Sequence, residues 1–348
     1  MKNWINIVLV VSCLIGIVVS TPAPTTPAPT ATAPPTSSPL PPTPSVSPPN
    51  YLWGIFSDEF NFNFNISQYD IISDEFINYP LSSSYCSEFT PHSILFVNST
   101  TAVIVAADLV SMNIIAFDLQ SLDCLTLQTI DFQNYQASYP DNSFGYNYNT
   151  STLYNTGYLQ AVNPNATIFA WNFAEQIFNS VGIEDVYTEN QYNSVGVYDA
   201  NRYIYYVIVF DSKQNANVVY AYSTMGNGAP SAAYVLQDSN QEQFQSLLLT
   251  SDGTLYGVTT EDEGYLMVYL INYLTGEVSL YFHTKNSQIY TSFPAVAYGQ
   301  YLLLVVDGQY TENSNQVVVL NTHNRQTKTY TLGNGSLPVS GSFYIASN

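Results

Sequence analysis

QSLLLTSDGTLYGVTTEDEGYLMVYLINYLTGEVSLYFH, residues 245–283, is the stretch on which the fold turns. Ser246 to Leu249 is a first apolar run. Ser251-Asp252-Gly253-Thr254 then forms a turn, because Ser and Asp bond their own backbone and Gly admits positive φ. Leu255 to Val258 is a second run, and the acidic turn Glu261-Asp262-Glu263-Gly264 leads into a third, Leu266 to Asn272. Thr275-Gly276-Glu277 turns the chain into a fourth, Val278 to Phe282. Short strands joined by short turns pair with their sequence neighbours, so the stretch reads as a four-stranded antiparallel meander.

The same order recurs along residues 51–348. Second strands centre near Val105, Leu159, Tyr206, Tyr256 and Leu303, at steps of 54, 47, 50 and 47 residues. Third strands centre near Ile115, Phe169, Val219, Val268 and Val318, at steps of 54, 50, 49 and 50. Two markers thus share one period. The closest approach to a helical pattern, Phe169 to Ile183, is broken by Asn179, Ser180 and Gly182. The body is therefore all-β.

A four-stranded unit repeated every 40 to 50 residues resembles the β-propeller superfamily, in which stacked blades bury faces that a single blade leaves open. The likeness is architectural: neither the Gly-His and Trp-Asp pairing of the WD type nor the double glycine of kelch repeats is present. The turn Tyr273-Leu274-Thr275-Gly276-Glu277 looks like the outer turn of many propeller blades. Five whole units and a partial one give six blades, and dividing the 298 residues of the body by the period also gives six. A split N-terminal segment would make seven. The resemblance implies a ring closed by both chain ends. Pro338 to Ser347 is expected to supply the first two strands of a composite blade, with Leu52 to Phe56 and Phe62 to Ile72 as its third and fourth.

The N-terminus has the layout of a secretory signal: Lys2, then an apolar run from Ile7 to Val19, then small residues at Val18 and Ser20. Cleavage is expected after Ser20, giving a leader of residues 1–20; retention as an anchor lengthened by Trp4 and Ile5 is the alternative. No later segment nears the roughly 20 apolar residues a membrane helix needs. Residues 21–50 hold 12 of the 19 prolines and 11 Ser or Thr with no charge. Such a stretch buries no core and reads as an extended, O-glycosylated stalk, or as a plain spacer without sugars.

Without the leader, five basic residues stand against 26 acidic ones, a formal charge of −21. Nucleic acid and anionic membranes are poor partners for such a surface, whereas cations and basic partners suit it. Two cysteines remain, Cys86 and Cys124, expected to pair as a disulfide in an oxidising compartment, with two buried thiols as the alternative. Five N-glycosylation sequons occur, at Asn65, Asn98, Asn149, Asn165 and Asn334. Together these place the protein outside the cell.

Candidate chemistry is sparse. An acidic residue follows or ends the second strand in four of five units: Asp108, Asp211, Glu261 and Asp307, with Asn163 in the other. In propellers the connection after the second strand lies on the face that carries ligand sites, so the resemblance makes these four a candidate carboxylate ring for Ca²⁺ or a cationic group. The competing reading is that Asp and Asn merely favour turns. Ser57-Asp58-Glu59-Phe60 and Ser73-Asp74-Glu75-Phe76 repeat one segment 16 residues apart; they read as turns, with an acid and base pair for glycoside cleavage as the alternative. His92, His283 and His323 match no metal spacing, and no Gly-x-Ser-x-Gly elbow occurs. Thirty tyrosines supply flat, hydroxyl-bearing faces for blade packing or for sugar and protein contact. The expected function is non-enzymatic binding of an extracellular protein or carbohydrate. A secreted polysaccharide hydrolase or lyase is the alternative, and a structural coat component a third.

Overall fold

The computed structural model describes residues 47–58, 64–81, 90–107, 111–131, 136–137, 143–159, 163–187, 194–211, 213–225, 230–237, 244–260, 266–284, 295–306, 316–331, 336–338 and 344. The leader, most of the stalk, Cys86, Asp108, Glu261, Asp307 and Asn334 lie outside them, as does the side chain of Asn165.

The described residues form six antiparallel sheets in a ring, a six-bladed β-propeller. Blade 1 takes β1 (Tyr51–Asp58), β2 (Phe64–Asp70) and β3 (Glu75–Pro80). Blade 2 is β4 (Thr90–Val97), β5 (Thr101–Ala107), β6 (Ser111–Asp118) and β7 (Cys124–Asp131). In blade 3 the first strand comes in two pieces, β8 (Gln136–Ala137) and β9 (Gly145–Asn147), both paired to β10 (Thr152–Leu159). β11 (Asn163–Asn172) and β12 (Ile177–Tyr187) complete that blade. Blade 4 is β13 (Ser194–Asp199), β14 (Ile204–Asp211), β15 (Ala216–Ser223) and β16 (Pro230–Val235). Blade 5 is β17 (Ser246–Leu249), β18 (Leu255–Thr260), β19 (Leu266–Ile271) and β20 (Val278–His283). Blade 6 is β21 (Ala295–Tyr298), β22 (Tyr301–Val306), β23 (Gln316–Asn321) and β24 (Thr327–Thr331). β25 (Ser336–Pro338) then returns to pair with β1.

First strands of neighbouring blades touch one another, β13 with β17 and β17 with β21, so they lie nearest the axis. Fourth strands form the exposed rim, as in β24, where only Tyr330 is partly covered. The middle strands are buried on both faces, which explains their nearly unbroken apolar sequences. β14 shows how the two faces are used: Tyr205, Val207 and Val209 pack with Tyr154 and Ile168 of blade 3, while Tyr206 and Ile208 pack with Leu247 and Leu255 of blade 5. Each such buried side chain contributes about 1.5–3 kcal/mol of transfer free energy. Six clusters of this kind fill the six junctions between blades. The cluster of Leu52, Phe56 and Tyr69 with Leu303 and Val317 joins blade 1 to blade 6 and so closes the ring.

Closure divides the composite blade one to three, where two and two were expected. The C-terminal run supplies the inner strand alone: Ser336–Pro338 lies beside Asp58 to Phe56, and Tyr344 exchanges two 2.8 Å backbone hydrogen bonds with Trp53. Glu75–Pro80 is the strand that sequence reasoning lacked. It is a largely exposed rim strand without a continuous apolar face, so the composition of a buried strand is missing from it. Cys124, the first residue of β7, is disulfide-bonded; its expected partner, Cys86, lies outside the described residues.

Candidate functional site

The meander gives the ring two unlike faces. Connections between first and second and between third and fourth strands emerge on one, here termed the turn face. Connections between second and third strands, and from blade to blade, emerge on the other, the loop face. β1 begins on the turn face, where the Asn50 carbonyl accepts the Ile71 N–H at 2.8 Å.

The turn face is built from one repeated device. In five blades the third strand ends on Asp or Asn, or is followed directly by Asn as β19 is by Asn272, and the fourth residue after that Asp or Asn has positive φ: Asp70 with Asp74, Asp118 with Leu122, Asn172 with Gln176, Asn272 with Gly276, and Asn321 with Arg325. The side-chain oxygen of the first residue accepts backbone N–H groups of the turn, those of Ile72 and Ser73 at Asp70 and of Gln120 and Ser121 at Asp118. In four of them, all but the turn at Asn172, the left-handed residue donates its N–H to the carbonyl of the Asp or Asn four before it. An oxygen that satisfies its own turn is a structural group first.

Those bonds favour the ionised carboxylate. The N–H groups of Ile72 and then Ser73 hold Asp70 below the usual carboxylate range, and those of Ser121 and Gln120 do the same for Asp118. At Asp252 burial pushes the other way, and the Thr250 hydroxyl, the Thr254 N–H and hydroxyl, and His323 together outweigh it. A carboxyl whose pKa is lower folded than unfolded stabilises the fold at all pH above the unfolded value. That stability disappears as pH falls through the folded value. The urea midpoint is therefore expected to drop on acidification below about pH 4, the unfolded Asp range. Relaxation of the chain's formal charge of −20 works in the opposite sense. The double variant Asp70→Asn, Asp118→Asn separates the two, because asparagine keeps the turn, as at Asn172, Asn272 and Asn321, but does not titrate. A shallower acid decline in that variant is the expected result; an unchanged profile would remove the turn carboxylates as its cause.

Neighbouring blades also clasp across this face. Arg202 pairs with Asp199 at 2.9 Å and donates to the Asp252 carbonyl of blade 5 at 3.1 Å. Arg325 of blade 6 lies 4.6 Å from the ring centre of Tyr281 in blade 5, and Tyr281 donates to the Thr322 carbonyl. Tyr69, which donates to Asp74 of the turn at 2.8 Å, also reaches the carbonyl of Thr331 at the far end of β24 in blade 6, at 3.2 Å. Between blades 3 and 4, Tyr154 stacks on Tyr198 and Tyr205, and burial, above all, pushes its phenol up to about 12. Much of the tyrosine excess is thus packing. Tyr205 and Tyr206, adjacent in sequence, are both fully buried in opposite junctions.

Nearer the axis, blades 3 and 4 share a buried polar cluster. Ser143 donates to Asn155, the hydroxyls of Thr156 and Ser194 bond each other, and Tyr205 donates to the Ser143 carbonyl. All are hydroxyl or amide groups, which suit hydrogen bonding and supply neither a strong base nor a cation ligand set.

On the loop face, Asp211 is the one member of the proposed carboxylate ring within the described residues. It ends β14, is fully buried, and spends its oxygens on its own turn. The N–H groups of Lys213 and Gln214 donate to Oδ1 at 2.9 and 3.4 Å, and Gln214 Nε2 donates to Oδ2 at 2.7 Å. Asp211→Ala leaves these donors without that acceptor and is expected to cost about 2 kcal/mol by urea unfolding. A variant within about 0.5 kcal/mol of the parent would show that the turn does not depend on it.

The other sequence candidates separate. Asp58 and Asp74 stand at opposite ends of blade 1, about 20 Å apart along β2 at the usual strand rise, too far for an acid and base pair. His92, His283 and His323 belong to blades 2, 5 and 6. Among the described residues no three His, Cys, Asp or Glu side chains gather as a metal site would require, and no helix is long and apolar enough to cross a membrane. Asn65 is half-buried in β2, Asn98 lies in the β4–β5 turn, and Asn149 is exposed before β10.

No protein-family model matches the chain, and no curated protein matches it in sequence. Solved structures match its fold. TolB from Acinetobacter baumannii aligns with a TM-score of 0.56 at 12% identity, over 84% of this chain and 66% of that one. A chain of the nidogen/laminin complex aligns with a TM-score of 0.54 at 12% identity, over 80% of this chain and 93% of that one. This chain therefore spans just under two thirds of that TolB. At such identities the shared property is the propeller fold.

Proposed function

We propose that the chain is an exported glycoprotein whose propeller binds an extracellular protein or carbohydrate, carried on the Pro/Thr-rich stalk of residues 21–50. The observation that carries the export half is the disulfide at Cys124, since such bonds persist in oxidising compartments and are rare where thiols are kept reduced. The leader pattern of residues 1–20 and the five sequons agree with it. The binding half rests on the closed ring, which presents two faces on a frame of paired strands. The nidogen/laminin complex, a protein–protein assembly containing a chain of this fold, favours a protein ligand.

The test is expression of the full chain in a eukaryotic secretory host. The chain is expected in the medium with its N-terminus at Thr21 and without a titratable thiol. The purified protein is then passed over immobilised extracellular matrix proteins and an oligosaccharide array. Saturable binding to one class supports the module. Retention inside the cell with the leader intact would end the export reading.

A further inference from the structure

Two of the five sequons sit side by side on the turn face. Asn98-Ser99-Thr100 joins β4 to β5 in blade 2, and Asn149-Thr150-Ser151 precedes β10 in the adjacent blade 3. Each follows an aromatic residue, Phe96 two positions before Asn98 and Tyr148 directly before Asn149. These two rings stack on one another, with centroids 4.0 Å apart and planes 14° from parallel, and Tyr344 meets Phe96 edge-on at 6.1 Å. Tyr148 is nonetheless 54% exposed, directly before Asn149 and stacked on the ring two residues before Asn98. An open tyrosine is otherwise at odds with a chain that packs so many of its tyrosines between blades.

The Asn98 amide is set for modification. Its Oδ1 accepts the N–H of Thr101 at 2.7 Å, the N–H of Thr100 at 2.9 Å and the Thr100 hydroxyl at 3.2 Å. The turn is therefore held by the oxygen alone, and Nδ2, the atom that carries a glycan, is not needed by it. Asn149 is exposed, and its own N–H is taken by Asn147 Oδ1 at 3.1 Å. Asn65 differs, being half-buried within β2 between Phe56 of β1 and Pro80 of β3.

We propose that Asn98 and Asn149 are N-glycosylated and that their first sugars pack on the Phe96–Tyr148 stack, shielding the turn face over blades 2 and 3. This deepens the reading of the chain as an exported glycoprotein and rests on it. The chemistry is group transfer from a lipid-diphosphate oligosaccharide. Asparagine Nδ2 bonds to C1 of the first N-acetylhexosamine, and the bond from C1 to the diphosphate oxygen breaks. The diphosphate leaves with the electron pair and Nδ2 gives up one proton, so nothing is oxidised or reduced. The C–H face of that sugar is apolar and matches the open face of an aromatic ring. The contact covers Tyr148 and ties the β4–β5 turn to blade 3.

The test replaces residues 1–20 by a leader of proven export and collects the secreted chain from cells that keep their glycans high-mannose. Glycopeptide mass spectrometry is expected to find sugar on both Asn98 and Asn149. Trimming each glycan to its first sugar with an endoglycosidase should leave the Tm unchanged. Complete removal with a peptide-N-glycosidase should lower it by about 2 °C or more, the response of a domain of this size to roughly 1 kcal/mol. In Tyr148→Ala both sites should stay occupied while the two treatments give the same Tm. A secreted chain with Asn98 or Asn149 unmodified overturns the proposal, as does an equal Tm after both treatments in the parent. A parallel culture with the native leader separates the two readings, because intracellular retention there defeats export alone.

Discussion

Tyr205→Ala is expected to lower the unfolding free energy by about 4 kcal/mol, the usual loss for a large buried aromatic. Gly196→Ala is expected to lower it by about 3 kcal/mol, at the upper end of overpacking. The reason is one fitted contact between blades 3 and 4. Tyr205 is completely buried and lies against glycines on the two inner strands. A Cβ on Gly196 would stand 2.3 Å from the Tyr205 hydroxyl and 2.8 Å from the Ser143 carbonyl oxygen, and one on Gly145 would stand 2.6 Å from the Tyr205 ring. Neither β9 nor β13 can retreat easily, since each is held by backbone pairing to the second strand of its own blade, β10 and β14. The double variant should lose less than the sum, by about 1–3 kcal/mol, because removing the ring makes room for the new methyl group. Rescue should stay incomplete, as the Ser143 carbonyl is unmoved. Urea midpoints followed by both tryptophan fluorescence and circular dichroism measure the cycle. Additivity within about 0.5 kcal/mol would mean that ring and glycine do not share the contact.

What the sequence disclosed follows from where free energy is concentrated. Middle strands are buried on both faces, so their apolar runs recur visibly, and Val105, Tyr206, Tyr256, Leu303 and the third-strand centres all fall inside observed strands. Rim strands are held mainly by backbone pairing to one neighbour, and their composition is free to vary. Glu75–Pro80 therefore escaped notice, and the division of the composite blade was misjudged with it. The split of blade 3's first strand into β8 and β9 was hidden for a related reason: two- and three-residue pieces carry no period. The repeated turn was missed because glycine marks it only at Gly276. Elsewhere Asp74, Leu122, Gln176 and Arg325 take the left-handed position, and the remaining signal is an Asp or Asn four residues earlier. At the candidate site, the competing reading of acidic residues as turn formers describes Asp211 well, since its carboxylate closes its own turn.

Deleting residues 332–348 is expected to remove about 5 kcal/mol or more, a large share of the 5–15 kcal/mol by which domains are ordinarily stable. The deletion strips the inner strand from blade 1. β1 loses its pairing from Asp58 to Phe56 and the two 2.8 Å bonds between Trp53 and Tyr344, each net bond being worth about 1 kcal/mol. Tyr344 also leaves the cluster of Trp53, Ile55 and Ile104 and its contact with Phe96. Loss of a packed aromatic alone costs about 3 kcal/mol. The damage is concentrated at closure because blade 1 must meet blade 6 through Leu52, Phe56 and Tyr69 and meet blade 2 through Trp53 and Ile55. A bare β1 edge beside the axis is also a template for pairing with another chain, so the truncated protein should self-associate as it loses stability. A synthetic peptide of residues 332–348 supplied in trans should restore the urea midpoint in proportion to the logarithm of its concentration, as a ligand of the native state does. A truncated chain that keeps the parental midpoint, or one that the peptide does not affect, would show that blades 1 and 6 hold the ring without the C-terminal strand.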